Sequence, residues 1–223
     1  MPLVMDELGR LVDGISDEVL RDMVRAFLEV PDVDLDGEKL PFDECPGGAY
    51  IHHAYEGGLL QHTVAVTRLC LTMCDLIEEV YGGSVDRDTV LAGALLHDVM
   101  KCYAYCRDGE RGFMTSQMGE RIDHLSLVVA ELYRRGFPVD VIHVAASHHG
   151  DKGPVKPKTL EALIVSVADL ADSELSRQTL RAAEYLVRRS TGERRMFRSS
   201  AEALEVIRVK ARDGWDGLAG LGL

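Results

Sequence analysis

Three apolar helical stretches of this sequence carry ionisable side chains on the face where a hydrophobic residue is expected. In LAGALLHDVMK, Asp98 shares a helical face with Leu91, Ala94 and Leu95. Asp169 does the same after Ala162, Val165 and Ser166 in LEALIVSVADLAD, and His62 falls on the stripe that continues through Val66 and Leu69. A lone inward histidine is ordinarily a hydrogen-bonded core residue, but a buried carboxylate is costly unless it is paired or bound to a cation. Two inward aspartates and an inward histidine share one explanation, a divalent cation held by imidazole nitrogen and carboxylate oxygen. His97 adjoins Asp98, and Lys101 lies on the same side of that helix. His124, with Leu127 and Val128 on its side, and the pair His148-His149 just before Gly150 are further ligand types. The pair also fits a C-terminal cap on a helix dipole, worth at most about 1 kcal/mol. Two metals bridged by Asp98 would use all of these residues.

The elements that must position them are helices. Apolar residues recur at helical spacing and nowhere alternate long enough to argue a strand, so the sequence predicts an all-α fold. Ser16, with Asp17 and Glu18, reads as a capped helix start; Leu20, Val24, Phe27 and Leu28 form its buried face, and Pro31 stops it. A loop is expected from Pro31 to about Gly58, broken by Pro41, Pro46, Gly47 and Gly48. Long helices follow over Leu59 to Tyr81, with Val66, Leu69, Met73, Leu76 and Val80 on one face, and over about Asp86 to Tyr105. A third covers about Ser116 to Arg135, with His124 in its middle and Gly136 closing it. Pro138 then opens a short helix that ends at Gly150. After a rigid loop from Asp151 to Lys158, Leu160 to about Leu175 is helical again. A last helix starts at the capping box Ser199 to Glu202, and the Gly-rich tail GWDGLAGLGL reads as frayed.

Composition bounds the function. The chain has 223 residues, 46% hydrophobic and 28% charged, which suits a folded protein with one substantial core, or two at most, and excludes a disordered, collagen-like or disulfide-stapled one. Lys and Arg total 25 against 37 Asp and Glu, a net charge of −12. A surface this acidic repels a phosphate backbone over most of its area, so a phosphate site needs a local basic patch or a metal ion. No apolar run approaches the roughly 18 residues that span a bilayer, and MPLVMDELGRLVDGI is acidic where a signal peptide is basic, so a cytoplasmic protein without a membrane partner is expected. Five cysteines, an odd number, fit reduced thiols better than a disulfide framework. Cys70 with Cys74 and Cys102 with Cys106 have metal-compatible helical spacing and read more simply as small buried hydrophobes.

The order His62, His97-Asp98, His124, His148-His149, Asp169 resembles the HD superfamily of metal-dependent phosphohydrolases, over about Ala26 to Ser176. The resemblance is closest to the branch of HD-domain exoribonucleases that act from the 3′ end, through HHAYEGGLLQHT, LLHDVMK, SHHG and the AD of VADLAD. It implies an HD-domain helical bundle with a buried metal site, as a single domain over 1–223 with its core at about 16–176 and a helical extension at 177–223. It also implies that His62, His97, Asp98 and Asp169 hold one metal, while His124, His148 and His149 join Asp98 around a second. Asp98 and Lys101 would be catalytic, Lys101 matching the family lysine that contacts phosphate or protonates a leaving oxygen. Two departures stand out. Val99-Met100 replace the common Ile-Gly before the lysine, and the roughly 58 residues before Leu59 are too few and irregular for the oligonucleotide-binding domain of the exoribonucleases, which counts against RNA degradation.

The implied chemistry is metal-dependent phosphoester hydrolysis with one or two divalent transition-metal ions, for which Fe, Mn, Ni, Co and Zn all suit imidazole and carboxylate ligands. A small phosphorylated substrate is expected, such as a nucleotide or a 2′,3′-cyclic phosphate. The chain is similar in size and layout to a group of small archaeal HD proteins that open the 2′,3′-cyclic phosphate of dihydroneopterin with ferrous iron. A second reading is processing of short RNA or single-stranded DNA, along the seven arginines between Arg177 and Arg198. Those arginines read more simply as a solvated helix face or a subunit contact in an oligomer. A third reading is a non-catalytic, metal-bound regulatory or nucleotide-sensing module. Among lesser candidates, His52 and His53 are expected in loop hydrogen bonds, His143 in a structural role, and Gln117, Glu120 and Arg121 on a solvated face. Tyr103 and Tyr105 offer a stacking surface for a base or pterin ring, with packing as the simpler role.

Overall fold

The structure, a computed structural model, describes residues 2–29, 33, 39–49, 52–109 and 112–220. Helices α1 (Pro2–Asp13) and α2 (Glu18–Leu28) lead through a loop to α3 (Gly58–Asp75), which continues as a π-helical turn, Leu76–Val80. Then come α4 (Arg87–Leu96), the short α5 (Lys101–Ala104), and strands β1 (Tyr105–Asp108) and β2 (Gly112–Thr115). The strands pair antiparallel, Tyr105 opposite Thr115 and Asp108 opposite Gly112. The chain closes with α6 (His124–Arg134), α7 (Val139–Ser147), the long α8 (Leu160–Thr191) and α9 (Ser200–Ala219). The fold is all-α with this one small hairpin, and no described helix is long and apolar enough to cross a membrane.

Several boundaries differ from those read in the sequence, each for a local reason. Helix α1, which periodicity did not flag, buries Leu8, Leu11 and Val12. The cap of α2 is Asp17, whose carboxylate accepts from Val19 and Leu20, rather than Ser16, whose amide is held by Asp88. Pro31 lies outside the described residues. On α3 the buried line runs through Thr63, Val66, Thr67, Cys70 and Cys74, leaving Leu69, Leu76 and Val80 exposed. The helix expected over 86–105 breaks after Leu96 into a turn with i to i+3 hydrogen bonds, Val99 to Leu96 and Lys101 to Asp98. The helix expected from Ser116 starts only at His124, because the Asp123 carboxylate caps it by accepting from the Ser126 amide at 2.7 Å. His124 is therefore the first residue of α6, not a mid-helix one. Conversely, α8 takes in most of the arginine-rich segment and stops at Gly192, where φ of 81° suits glycine. The tail is helical to Ala219 across an interruption at Gly214, and it buries Leu218; residues 221–223 lie outside the described residues.

Two apolar clusters flank the future site. One joins α1, α2, α4 and α6 through residues such as Val24, Phe27, Leu95, Leu96 and Leu132. The other joins α3, α4, α7 and α8 through Val66, Cys70, Ala94, Val144 and Val165. A third, separate cluster seals the far half of α8 against α9 with Val187, Phe197, Val206 and Leu218. Helices α4 and α7 approach closely because Gly93 has no side chain: a Cβ there would lie 2.2 Å from Val144 Cγ1. That contact brings the C-terminal ends of the two helices together. Gly93→Ala is expected to destabilise the fold by about 1–3 kcal/mol despite alanine's better helix propensity, measured as a lower urea midpoint; an unchanged or higher midpoint would show that the two helices need no glycine.

Candidate metal centre

Asp98 follows α4 by two residues, and it is the convergence point of five other ionisable side chains. It is only 1% exposed. Its Oδ2 lies 3.3 Å from His62 Nε2, 3.3 Å from His97 Nε2 and 2.5 Å from Lys101 Nζ. Its Oδ1 faces the other way, 3.2 Å from His124 Nε2 and 3.5 Å from His148 Nε2. Asp169 of α8 completes the first side, with Oδ1 3.2 Å from His62 Nε2. His149 packs on His148 and His124 at ring separations of 4.1 and 5.2 Å. The structure thus gathers His62, His97, Asp98 and Asp169 into one tight group and His124, His148 and His149 into a second, with ligand atoms within 4.8 Å of one another in each group.

The histidine nitrogens are oriented by the ends of the helices. His97 Nδ1 donates to Ala94 O at 2.8 Å, and His148 Nδ1 donates to Ala145 O at 2.7 Å. Both acceptors belong to the last turns of α4 and α7, where carbonyls lack intrahelical partners. His62 Nδ1 donates to Asp172 Oδ2 at 2.7 Å. With Nδ1 carrying the hydrogen, each ring in its neutral form presents an Nε2 lone pair to the aspartates, and at His62 a metal would take the place of a proton on Nε2. Lone pairs facing carboxylate oxygens repel unless a positive charge sits among them. Accordingly both oxygens of Asp98, His124 Nε2 and His148 Nε2 are buried without a hydrogen-bond partner of acceptable geometry among the described residues. These orphaned atoms fit a divalent cation on chemistry as well as spacing.

Electrostatics agree. Burial disfavours the Asp98 carboxylate, but Lys101, His97, His124 and His62 together hold its pKa well below the usual range. Burial disfavours the His62 imidazolium, yet Asp169, Asp172 and Asp98 raise its pKa well above normal, a sign of how strongly this position favours a cation. His148 is pushed the other way by burial and by His97, so it is neutral and is no charged cap on a helix dipole. Lys101 keeps its proton because Asp98 offsets burial. The i to i+3 turn after α4 nearly eclipses Asp98 and Lys101, and the ammonium also donates to Gly47 O at 2.7 Å. Val99 and Met100, between them, are fully buried.

One residue here escaped the sequence reading. Asp172, one turn after Asp169, binds both His62 and His53, and the second aspartate of ADLAD was its only signal. His52 lies 5.2 Å from His62 between ring centres; its Nδ1 has no hydrogen-bond partner among the described residues, and burial lowers its pKa to about 3. His143 is remote and accepts from the Lys158 amide. Gln117, Glu120 and Arg121 are exposed on the turn before α6. Tyr103 is packed in the core, and none of the five cysteines is in a disulfide, four of them being buried.

Comparison with known proteins follows the same lines. The family model described as HD domain matches residues 59–174. The chain is 42% identical over 213 residues to the dihydroneopterin 2′,3′-cyclic phosphate phosphodiesterase of Methanocaldococcus jannaschii, covering 94% of this chain and 85% of that one. It is 31% identical over 183 residues to the 3′-5′ exoribonuclease YhaM of Listeria monocytogenes, covering 77% of this chain but 54% of that one. With YhaM of Bacillus subtilis the identity is 26% over 172 residues. No solved structure matches.

The Asp98–Lys101 pair makes a stability test. Lys101→Met in the metal-free protein strips a buried carboxylate of its ammonium and is expected to cost about 3–5 kcal/mol, read as a lower denaturant midpoint. A loss below about 1 kcal/mol would mean that the histidines alone compensate Asp98.

Proposed function

On the premise that the chain belongs to the HD-domain family and is a metal-dependent phosphoester hydrolase acting on a small phosphoester, we propose that it opens a 2′,3′-cyclic phosphate, that of dihydroneopterin, with a divalent cation on each side of Asp98. The observation that carries the reading is the division of the Asp98 carboxylate, Oδ2 toward His62 and His97 and Oδ1 toward His124 and His148. His62, His97, Asp98 and Asp169 would hold one cation; Asp98, His124, His148 and His149 would hold the other. The choice of substrate rests on the phosphodiesterase relative, whose identity to this chain runs through nearly all of it.

Bound there, such cations lower the pKa of a coordinated water and neutralise phosphoryl oxygens. Hydrolysis adds the elements of water across one ring P–O bond and leaves a phosphomonoester, and the departing oxygen needs one proton. Lys101 is suited to meet it, because its ammonium is ion-paired with Asp98 beside the site and donates to Gly47 O, which holds it in place with N–H groups to spare. The partly exposed members of the site, His124, His149 and Asp169, mark the side from which a small substrate would enter. Fe, Mn, Ni, Co and Zn all remain compatible with this donor set. Residues 1–223 are read as one HD-type unit with 177–223 as its extension, a reading supported by the hydrogen bond between Tyr55 and Ser200. Five cysteines, none of them in a disulfide, support a reducing compartment, the cytoplasm.

Short RNA is the second substrate class, favoured by the exoribonuclease relatives. The chain spans about half of their length, and the arginine segment is already paired in part: Arg177 with Glu174, Arg194 with Glu184 and Arg195 with Glu202. A net charge of −12 adds to the preference for a small ligand.

The test is a panel of phosphomonoesters, 2′,3′-cyclic phosphodiesters and short RNA, assayed on protein stripped by chelator and reloaded with iron, manganese, nickel or cobalt. Cyclic phosphodiesters are expected to turn over fastest, and Asp98→Ala is expected to lose bound metal and fall to the background rate. Retained hydrolysis with retained metal in Asp98→Ala would overturn the site. Salt-dependent RNA cleavage without turnover of cyclic phosphates would move the assignment to a nuclease.

A further inference from the structure

Asp172 is buried on α8 and accepts on a single oxygen, Oδ2, from His62 Nδ1 at 2.7 Å and from His53 Nε2 at 2.8 Å. One oxygen that meets two imidazole nitrogens at these distances accepts from both. An ionised carboxylate only accepts, so both imidazoles must carry hydrogen on the nitrogen that faces it. His62 thereby keeps Nε2, on the side of Asp98 and Asp169, as the nitrogen whose lone pair a cation would take. With the hydrogen of His53 on Nε2, toward Asp172, its Nδ1 is left as the acceptor of the neutral ring. The Tyr55 hydroxyl lies 2.9 Å from it and, with burial raising its pKa to about 12, has a proton to give. The Tyr55 oxygen in turn lies 2.5 Å from Ser200 Oγ, at the first residue of α9. As placed, the Tyr55 hydroxyl donates to Gln61 Oε1 at 2.5 Å; turning that terminal amide makes Gln61 the donor and leaves the phenolic hydrogen for His53.

The backbone around His53 is held as tightly as its ring. Its φ of 44° is the one positive value among the described non-glycine residues. Its carbonyl packs so closely on Gly58 that a Cβ there would lie 2.0 Å away. Its amide donates to Ser176 Oγ at 2.9 Å, which ties the loop to α8. A strained residue pinned on every side is what a fixed hydrogen-bond relay requires.

We infer that Asp172, His53 and Tyr55 are positioning residues that fix the Nδ1–H tautomer of His62 and thereby set the affinity of the first metal site, with Ser200 of α9 anchoring the far end. The inference rests on the metal-site reading above. It ties the C-terminal helix to a metal ligand through four successive hydrogen bonds, Ser200 to Tyr55 to His53 to Asp172 to His62.

The experiment is titration of the full-length, metal-free protein with Co(II), followed by its visible absorption, for wild type, Asp172→Asn and Tyr55→Phe, each checked for folding by circular dichroism. Asp172→Asn is expected to bind Co(II) about 10–100-fold more weakly, and Tyr55→Phe to shift affinity the same way by less. In the proton spectrum of the Co(II) protein, the exchangeable Nδ1–H signal of His62 is expected in wild type and lost in Asp172→Asn, which a purely structural aspartate would not cause. Wild-type affinity in folded Asp172→Asn would overturn the inference. Should that variant fail to fold, unchanged affinity in Tyr55→Phe overturns it instead. The wild-type isotherm reads the metal site and the variant-to-wild-type ratio reads this relay, so the two ideas fail separately.

Discussion

A carboxylate taken out of water in the middle of a helical protein dictates what surrounds it. Asp98 has almost no contact with solvent, and its desolvation has to be offset by positive charge or by hydrogen-bond donors. The protein supplies one permanent cation, Lys101, and four imidazoles whose nitrogens point at the two oxygens from opposite sides. Three of those rings spend their hydrogens elsewhere, on Ala94, Ala145 and Asp172. The centre therefore stays short of positive charge, which is the electrostatic description of a cation site. The apolar clusters on either side keep water away and strengthen every interaction inside.

The scaffold meets this demand with helix ends. An α-helix leaves its last carbonyls without partners, and two helices use one such carbonyl each to orient a histidine. Helix α6 contributes from the opposite end, its first residue being His124. Gly93 lets α4 and α7 come close enough for the two oriented rings to share a site, 4.9 Å apart between centres. Helix α8 brings Asp169 and Asp172 one turn apart, so one faces the centre while the other holds His62 from behind.

The acid surface and the site no longer conflict. Part of the negative charge is concentrated where metal would neutralise it, and three of the seven arginines of the basic segment are paired with neighbouring glutamates. What the net charge of −12 disfavours is a long polyanion lying across the molecule, so the chemistry and the global charge both select a compact phosphoester.

The all-α class, the family and the residues that gather at Asp98 were legible in the sequence, because helical period and an ionisable residue on an apolar face are both local facts. Periodicity did less well with boundaries. It extended helices through His97 and across Ser116–Asp123, where the turn after α4 and the Asp123 cap end or start them, and it stopped α8 short of Gly192. It also put Leu69 in the core, although neighbouring helices pack against the line through Val66 and Cys70. Only the tertiary structure decided which oxygen of Asp98 faces which histidine, and that His53, 119 positions before Asp172, shares that carboxylate with His62. Spacing along a helix says which side chains share a face; which nitrogen keeps its hydrogen is set by the partner that another element brings to it.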